Sequence, residues 1–264
     1  MSAYLYILFW VISFGASIAG AICGIGGGVI IKPVLDAFGV LSVSTISFLS
    51  SCTVLCMTCY SVIKGKMSGE SLIDMRTGTP LGIGAAIGGV AGKSMFQALS
   101  SMFADKDMVG AVQAACLLVI TLGTLIYTIK KDQVKTLQVE NAAACVVIGL
   151  VLGIFSSFLG IGGGPINLVV LFYFFSMDTK TAAQNSLYII LFSQITSLLN
   201  TLITRTVPDF SIGLLALMAV GGILGGMSGR VINKRIDAPV VDKLFIALMA
   251  VIIGINIYNI YQFM

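Results

Sequence analysis

Residues 24–33 read GIGGGVIIKP, and residues 160–169 read GIGGGPINLV. The pentapeptide Gly-Ile-Gly-Gly-Gly occurs twice, 136 positions apart, each time inside a long apolar run. Glycine costs roughly 1 kcal/mol against alanine inside a helix, so four glycines in five residues mark a break. The runs that hold the breaks, 3–39 and 140–175, are each about 36 residues long. At about 1.5 Å per residue that makes about 54 Å of helix, long for one crossing of a core about 30 Å thick and short for two. A hairpin of two helices meeting at a glycine tip fits, dipping into a bilayer and returning.

Composition agrees with a bilayer. Hydrophobic residues make up 58% of the 264-residue chain and charged residues only 10%, with a mean hydropathy of +1.05. A soluble domain is nearer a quarter charged. The apolar runs are unbroken and longer than about 20 residues, which excludes the short alternating strands of a membrane β-barrel. The fold class is therefore an all-α polytopic membrane protein. No basic face or stripe offers itself to nucleic acid. The Ala19-Gly20-Ala21 triplet resembles a signal-peptidase site, but no Lys or Arg precedes it, so this segment is read as part of the mature chain.

Four landmarks recur in order, as an internal duplication requires. They are the glycine pentapeptide, Ser50 against Ser186, Gly88–Lys93 (GGVAGK) against Gly225–Arg230 (GGMSGR), and Gly123-x-x-x-Tyr127 against Gly254-x-x-x-Tyr258. The halves divide as 1–133 and 134–264, at the polar linker around Lys130–Val139. Each half holds one glycine-broken segment followed by three spans: 43–63, 78–100 and 108–129, then 181–204, 210–232 and 239–262.

Charge sets the sidedness. The loops 64–76, 130–135 and 230–235 each carry three Lys or Arg, and the positive-inside rule places all three on one side. That is satisfied when each broken segment returns to the side it started from. Inside then lie Lys64, Lys66, Arg76, Lys130, Lys131, Lys135, Lys180, Arg230, Lys234 and Arg235, against Lys106 and Arg205 outside. Both termini face out, and three crossings per half make the halves inverted. Inverted repeats with broken helices are a common transporter plan, with substrate bound near the midplane. A re-entrant hairpin and two short full spans give the same sidedness, so the segments total either eight or ten.

Bare backbone at membrane depth survives where it is buried in protein or lines a polar cavity. The helix that follows each tip begins with free N–H groups and a positive dipole end, an anion site without a charged side chain. Two such tips would cradle one small anion. The candidate binding residues are therefore Gly24, Gly26, Gly27 and Gly28 in the first tip and Gly160, Gly162, Gly163 and Gly164 in the second. The residues that follow them, Lys32 and Pro33, then Pro165 and Asn167, complete the tips.

Lys32 corresponds to Leu168 in the second copy, and Pro33 to Val169. A lysine within a broken helix pairs with an oxyanion or snorkels to the interface beside Asp36. The next helix of each half is unusually polar. From it come Ser50, Ser51, Asn185, Ser186 and Gln194 as neutral hydrogen-bond donors near the tips, with ordinary interhelical bonding as the competing use.

Other features read as packing. The six cysteines (23, 52, 56, 59, 116, 145) fall in apolar segments and read as small buried hydrophobes. Gly92-Lys93-Ser94 imitates the end of a phosphate loop, but Ile87 stands where the motif needs glycine. Gly84, Gly88 and Gly92, like Gly221, Gly225 and Gly229, form small-residue stripes for close helix contact. No His is present, so neither a Ser–His pair nor a metal cluster is available. The chain is read as no enzyme, with no catalytic residue, metal or cofactor.

These residues resemble the sulfite exporter TauE/SafE family of membrane permeases. The resemblance covers the whole chain and rests on the duplicated glycine loop, Lys32-Pro33, Pro165 and the repeated small-residue helices. It implies a permease moving sulfite or an organosulfonate such as sulfoacetate across the bacterial inner membrane. Its partners would be that small anion and the lipid bilayer, with homo-oligomer formation left open. An anion channel using the same loops as a filter is the alternative.

Overall fold

Glycine breaks each long apolar run at the expected place. A computed structural model describes residues 3–102, 106–161 and 163–263; the candidate Gly162 lies outside them. Helix α1 (Ala3–Cys23) ends at the first tip and α2 (Gly28–Phe38) leaves it. Spans α3 (Val43–Met67), α4 (Met75–Met102) and α5 (Lys106–Lys130) follow. After a short 3₁₀ turn, α6 (Ala142–Phe158) reaches the second tip and α7 (Pro165–Phe175) leaves it. The chain closes with α8 (Thr179–Ile203), α9 (Ile212–Arg235) and α10 (Ala238–Phe263). No strand occurs among the described residues.

The tips use the freedom that glycine alone supplies. Gly24 and Gly26 sit at φ +75° and +71°, and Gly160 and Gly163 at +64° and +127°. Side chains with a Cβ rarely enter that region. Pro165 occupies the first turn of α7, where its missing N–H costs nothing. The isoleucine inside each pentapeptide anchors its tip: Ile25 and Ile161 are buried in one common core cluster.

The arms that leave the two tips are short. Helices α2 and α7 have 11 residues each, about 16 Å of rise. That is about half of a core about 30 Å thick. Among the described residues, six helices are long and apolar enough to span: α1, α3, α5, α8, α9 and α10. Helix α4 has the length, 28 residues, but its glycines and charges dilute its hydropathy.

Helices α3 and α8 form the centre and touch each other. The most extensive contacts join α4 to α6 and α1 to α9. The larger contacts have counterparts when α1–α5 are exchanged for α6–α10: α4 on α6 and α9 on α1, α3 with α9 and α8 with α4, α2 with α10 and α7 with α5. The long hairpin arm of each predicted half lies on the other half's helix. The boundary at 133/134 therefore divides the sequence but not the packing.

The glycine stripes make this interlock. A Cβ at Gly84, Gly88 or Gly92 of α4 would meet the carbonyls of Val146, Leu150 or Ile154 on α6, and Gly149 and Gly153 of α6 approach Leu81 and Ala85 in return. On α9, Gly225 and Gly229 lie against Phe14 and Ile18 of α1 in the same way. Gly88→Ala is expected to destabilise by about 1–3 kcal/mol, since the new methyl meets backbone that cannot rotate away. Gly123→Ala, with nothing within 4 Å of the added carbon, should be neutral or stabilising by up to about 1 kcal/mol. Thermal melts of both variants in detergent check this; equal effects would discard the packing account.

The basic loops share one end of the bundle. Arg230 and Lys234 reach Glu70, and a single cavity brings Lys180 to the same wall. Nearby, Lys131 pairs with Asp242 at 2.6 Å, and Thr179 donates to the same carboxylate. At the other end Tyr6 meets Ser211 and Thr45 donates to the Asp209 carbonyl. Gly39 lies beside Gln262 there.

Candidate functional site

The two tips overlap. A Cβ on Gly28, the first residue of α2, would collide with the carbonyl of Ile161 in the second tip and stand 3.0 Å from Ser50 Oγ. Only a glycine lets these backbones approach so closely. The outer positions of the tips are held alike. Gly24 lies against Ala183 of α8, and Gly160 against Ser47 of α3. Both members of that second contact stand 136 positions from their counterparts, 160 against 24 and 183 against 47. Gly163 packs on Ile190.

Buried hydroxyls and amides without partners lie on the helices that hold this overlap. Ser47, Ser50 and Ser186 are buried, and their Oγ atoms have no hydrogen-bond partner among the described residues. The same holds for Asn167 Oδ1 and for both polar atoms of Gln194. Buried polar groups are nearly always paired, so these atoms are open to hydrogen bonds from a ligand or water. Helical spacing explains the grouping: Ala183, Ser186, Ile190 and Gln194 follow at i, i+3, i+7 and i+11, one face of α8. Ser51 is also buried, at the edge of the corresponding face of α3.

Two candidates have other occupations. Asn185 is buried, but its amide donates to the Leu72 and Thr181 carbonyls and its oxygen accepts from Asp74 N–H. It clamps the 68–74 loop to α8 and has no donor left for a ligand. Lys32 neither snorkels nor stands free. It is 3% exposed and its Nζ pairs with Asp36 at 2.6 Å, one helical turn on. Its stem passes Gly160, so it borders the second tip with its charge already compensated.

Pro33 beside it accepts a hydrogen bond through its carbonyl from Asn259 on α10. A small cavity lined by Lys32, Asp36, Gln113 and Asn256 adjoins the pair. With Lys32 compensated, the positive field at the tips comes from the N-termini of α2 and α7. Such a site suits a small anion bound by N–H and O–H groups.

A larger feature escaped the sequence reading. A cavity of about 500 Å³ opens at the basic end, lined by Ser61, Glu70, Lys180, Gln184, Arg230 and Lys234 among others. Its inner wall is Ala21 and Leu187, two members of an apolar cluster with Val54, Met57 and Ile190. Ile190 in turn touches Gly163. Ala21, Leu187 and Ile190 thus link the cavity lining to the second tip. The sequence signal was present in the basic loops, but charge counting assigned them to orientation only. Among the described residues no three His, Cys, Asp or Glu side chains converge as a metal site.

No curated protein and no solved structure matches the chain significantly. The family described as Sulfite exporter TauE/SafE matches residues 9–257, nearly the whole length. The hairpin-bearing helical bundle with its paired glycine tips therefore belongs to the TauE/SafE sulfite exporter family of membrane transporters.

Proposed function

We propose that this chain is a secondary permease for sulfite or a small organosulfonate such as sulfoacetate, working by alternating access. The observation that carries the reading is the overlap of two glycine tips, Gly28 against Ile161, beside unpartnered buried Ser47, Ser50, Ser186 and Gln194. N–H groups at the start of α2, the positive dipole end of α7, whose first residue Pro165 has no N–H, and these neutral donors bind the anion near mid-membrane. The helix exchange between halves and the matched pairs 24/183 and 160/47 support an inverted duplication, and two like halves can rock about a shared site. The basic end faces the cytoplasm of a bacterial inner membrane by the positive-inside rule, which leaves both termini outside. The apolar layer of Ala21, Val54, Met57, Leu187 and Ile190 closes the path from that end. A closed layer favours a carrier over a channel.

The test is thermal-shift screening in detergent against sulfite, sulfoacetate, taurine, thiosulfate, sulfate, phosphate and acetate. A ligand of the native state raises stability by mass action, about 2.7 kcal/mol at a hundredfold excess over Kd. One sulfur anion is expected to raise the Tm of the native chain. The double variant Ser50→Ala/Ser186→Ala, which removes two hydroxyls without adding bulk, should lose that response. A response that survives in the double variant would move the site away from the tips.

A further inference from the structure

The cavity at the basic end carries a carboxylate, Glu70, among its lining residues. The loop 68–74 crosses its mouth and is pinned on both sides. On α8, Gln184 accepts from Leu72 N–H and Asn185 holds Leu72 and Asp74. On α9, Arg230 donates to the Ser61 carbonyl at 3.0 Å and to Ser68 Oγ at 2.8 Å. Glu70, carried by this loop, then sets one carboxylate oxygen between Arg230 Nη2, at 3.4 Å, and Lys234 Nζ.

Lys180 lines the same cavity with no ion pair among the described residues. Three cations thus face one carboxylate. Glu70 itself is half exposed, whereas the Arg230 side chain is only 16% exposed. Arg230 is the fixed member of the arrangement, while Lys234, at 47% exposure, and Glu70 are the members free to move. About 500 Å³ is within the range of pockets that enclose small organic ligands, roughly 300–1,000 Å³.

We infer that Arg230, Lys234 and Lys180 form a receiving site for a carboxylate-, sulfonate- or sulfite-type oxyanion at the basic mouth, which Glu70 occupies as a tethered competitor until an anion displaces it. The inference rests on the permease reading for its biological sense, but the site itself is a binding claim. Arg230 offers a planar donor fork to an oxyanion, and the loop's anchors hold Glu70 nearby after displacement. Hydrogen bonds from Lys234, Ser68 and Arg230 hold the Glu70 carboxyl below the usual carboxylate range despite some desolvation, so the competitor stays charged at neutral pH. A tethered competitor raises the apparent Kd to the intrinsic Kd divided by the fraction of time it leaves the site free. The anion would enter here, then pass the apolar layer to the tips.

The experiment is calorimetric titration of the purified full chain in detergent with sulfite and, separately, with sulfoacetate. Glu70→Gln is expected to tighten at least one of them by about tenfold or more. Adding Arg230→Gln and Lys234→Gln in that background should return the Kd to the native value or weaker. Glu70→Asp keeps the charge on a shorter stem and should fall between. A Glu70→Gln Kd within twofold of native for both anions overturns the inference, provided its melt shows a folded chain; should it fail to fold, Glu70→Asp decides by the same criterion.

Titrating Glu70→Gln/Ser50→Ala/Ser186→Ala separates this site from the tips. Retained tight binding places it at the mouth. Loss of the tightening assigns it to the tips and overturns the receiving site while leaving the permease reading intact.

Discussion

Gly28→Ala is expected to cut transport in proteoliposomes by more than tenfold. It should also lower stability by about 1–3 kcal/mol, the usual cost of overpacking. Gly28 has ordinary helical geometry at the start of α2, so alanine meets no backbone penalty there and would even gain helix propensity. The effect is steric and tertiary. The new methyl falls on the Ile161 carbonyl and close to Ser50 Oγ, and the first of these neighbours is backbone. The two tips must separate to admit it, which opens the closest approach in the candidate site.

Gly160→Ala should act in the same direction for two reasons. Its φ of +64° is unfavourable for alanine, and the methyl would crowd Ser47. Gly15→Ala on α1 is the matched control, because nothing lies within 4 Å of its added carbon. Native transport by Gly28→Ala at native expression would show that the tip overlap is not the transport site.

Breaking the Lys32–Asp36 pair should be the most damaging single change to stability. Both side chains are buried, at 4% and 6% exposure, and the pair is 2.6 Å apart. Removing one partner strands the other charge in a low-dielectric interior, a loss of about 3–5 kcal/mol. Asp36→Asn and Lys32→Met are each expected to lose that much. The double variant Lys32→Met/Asp36→Asn should recover a large part of the loss, since no charge remains to be solvated. It should also keep the anion-dependent thermal shift, because the pair compensates itself and the anion is bound by neutral donors. Additive losses in the double variant would contradict the pairing. A stable double variant that has lost the anion response would return Lys32 to the binding site.

How much was legible in the sequence differs residue by residue. The glycine breaks and their positive φ could be read because backbone sterics act on the residue itself. Pro165 at a helix start and the stripe Gly84, Gly88 and Gly92 belong to the same kind. The polar face of Ser186 and Gln194 followed from helical periodicity. Asn185 looked equivalent, one position before Ser186, yet its side chain turns to the 68–74 loop and is consumed there.

Local rules, periodicity and hydropathy determined a helical membrane protein with two broken segments and one basic end. They act over a few residues or over composition, and so they survive in a one-dimensional reading. Which surfaces meet was decided only in the tertiary structure. Gly28 against Ile161, Glu70 against Arg230 and Lys234, and α1 laid on α9 join residues more than a hundred positions apart. Such contacts depend on how helices are exchanged between the halves, which no short window of sequence encodes. The partner of Lys32 is the instructive exception. Asp36 stood four residues away in plain view, but whether that turn of helix faced lipid, water or the core was set by α5 and α10 packing around it.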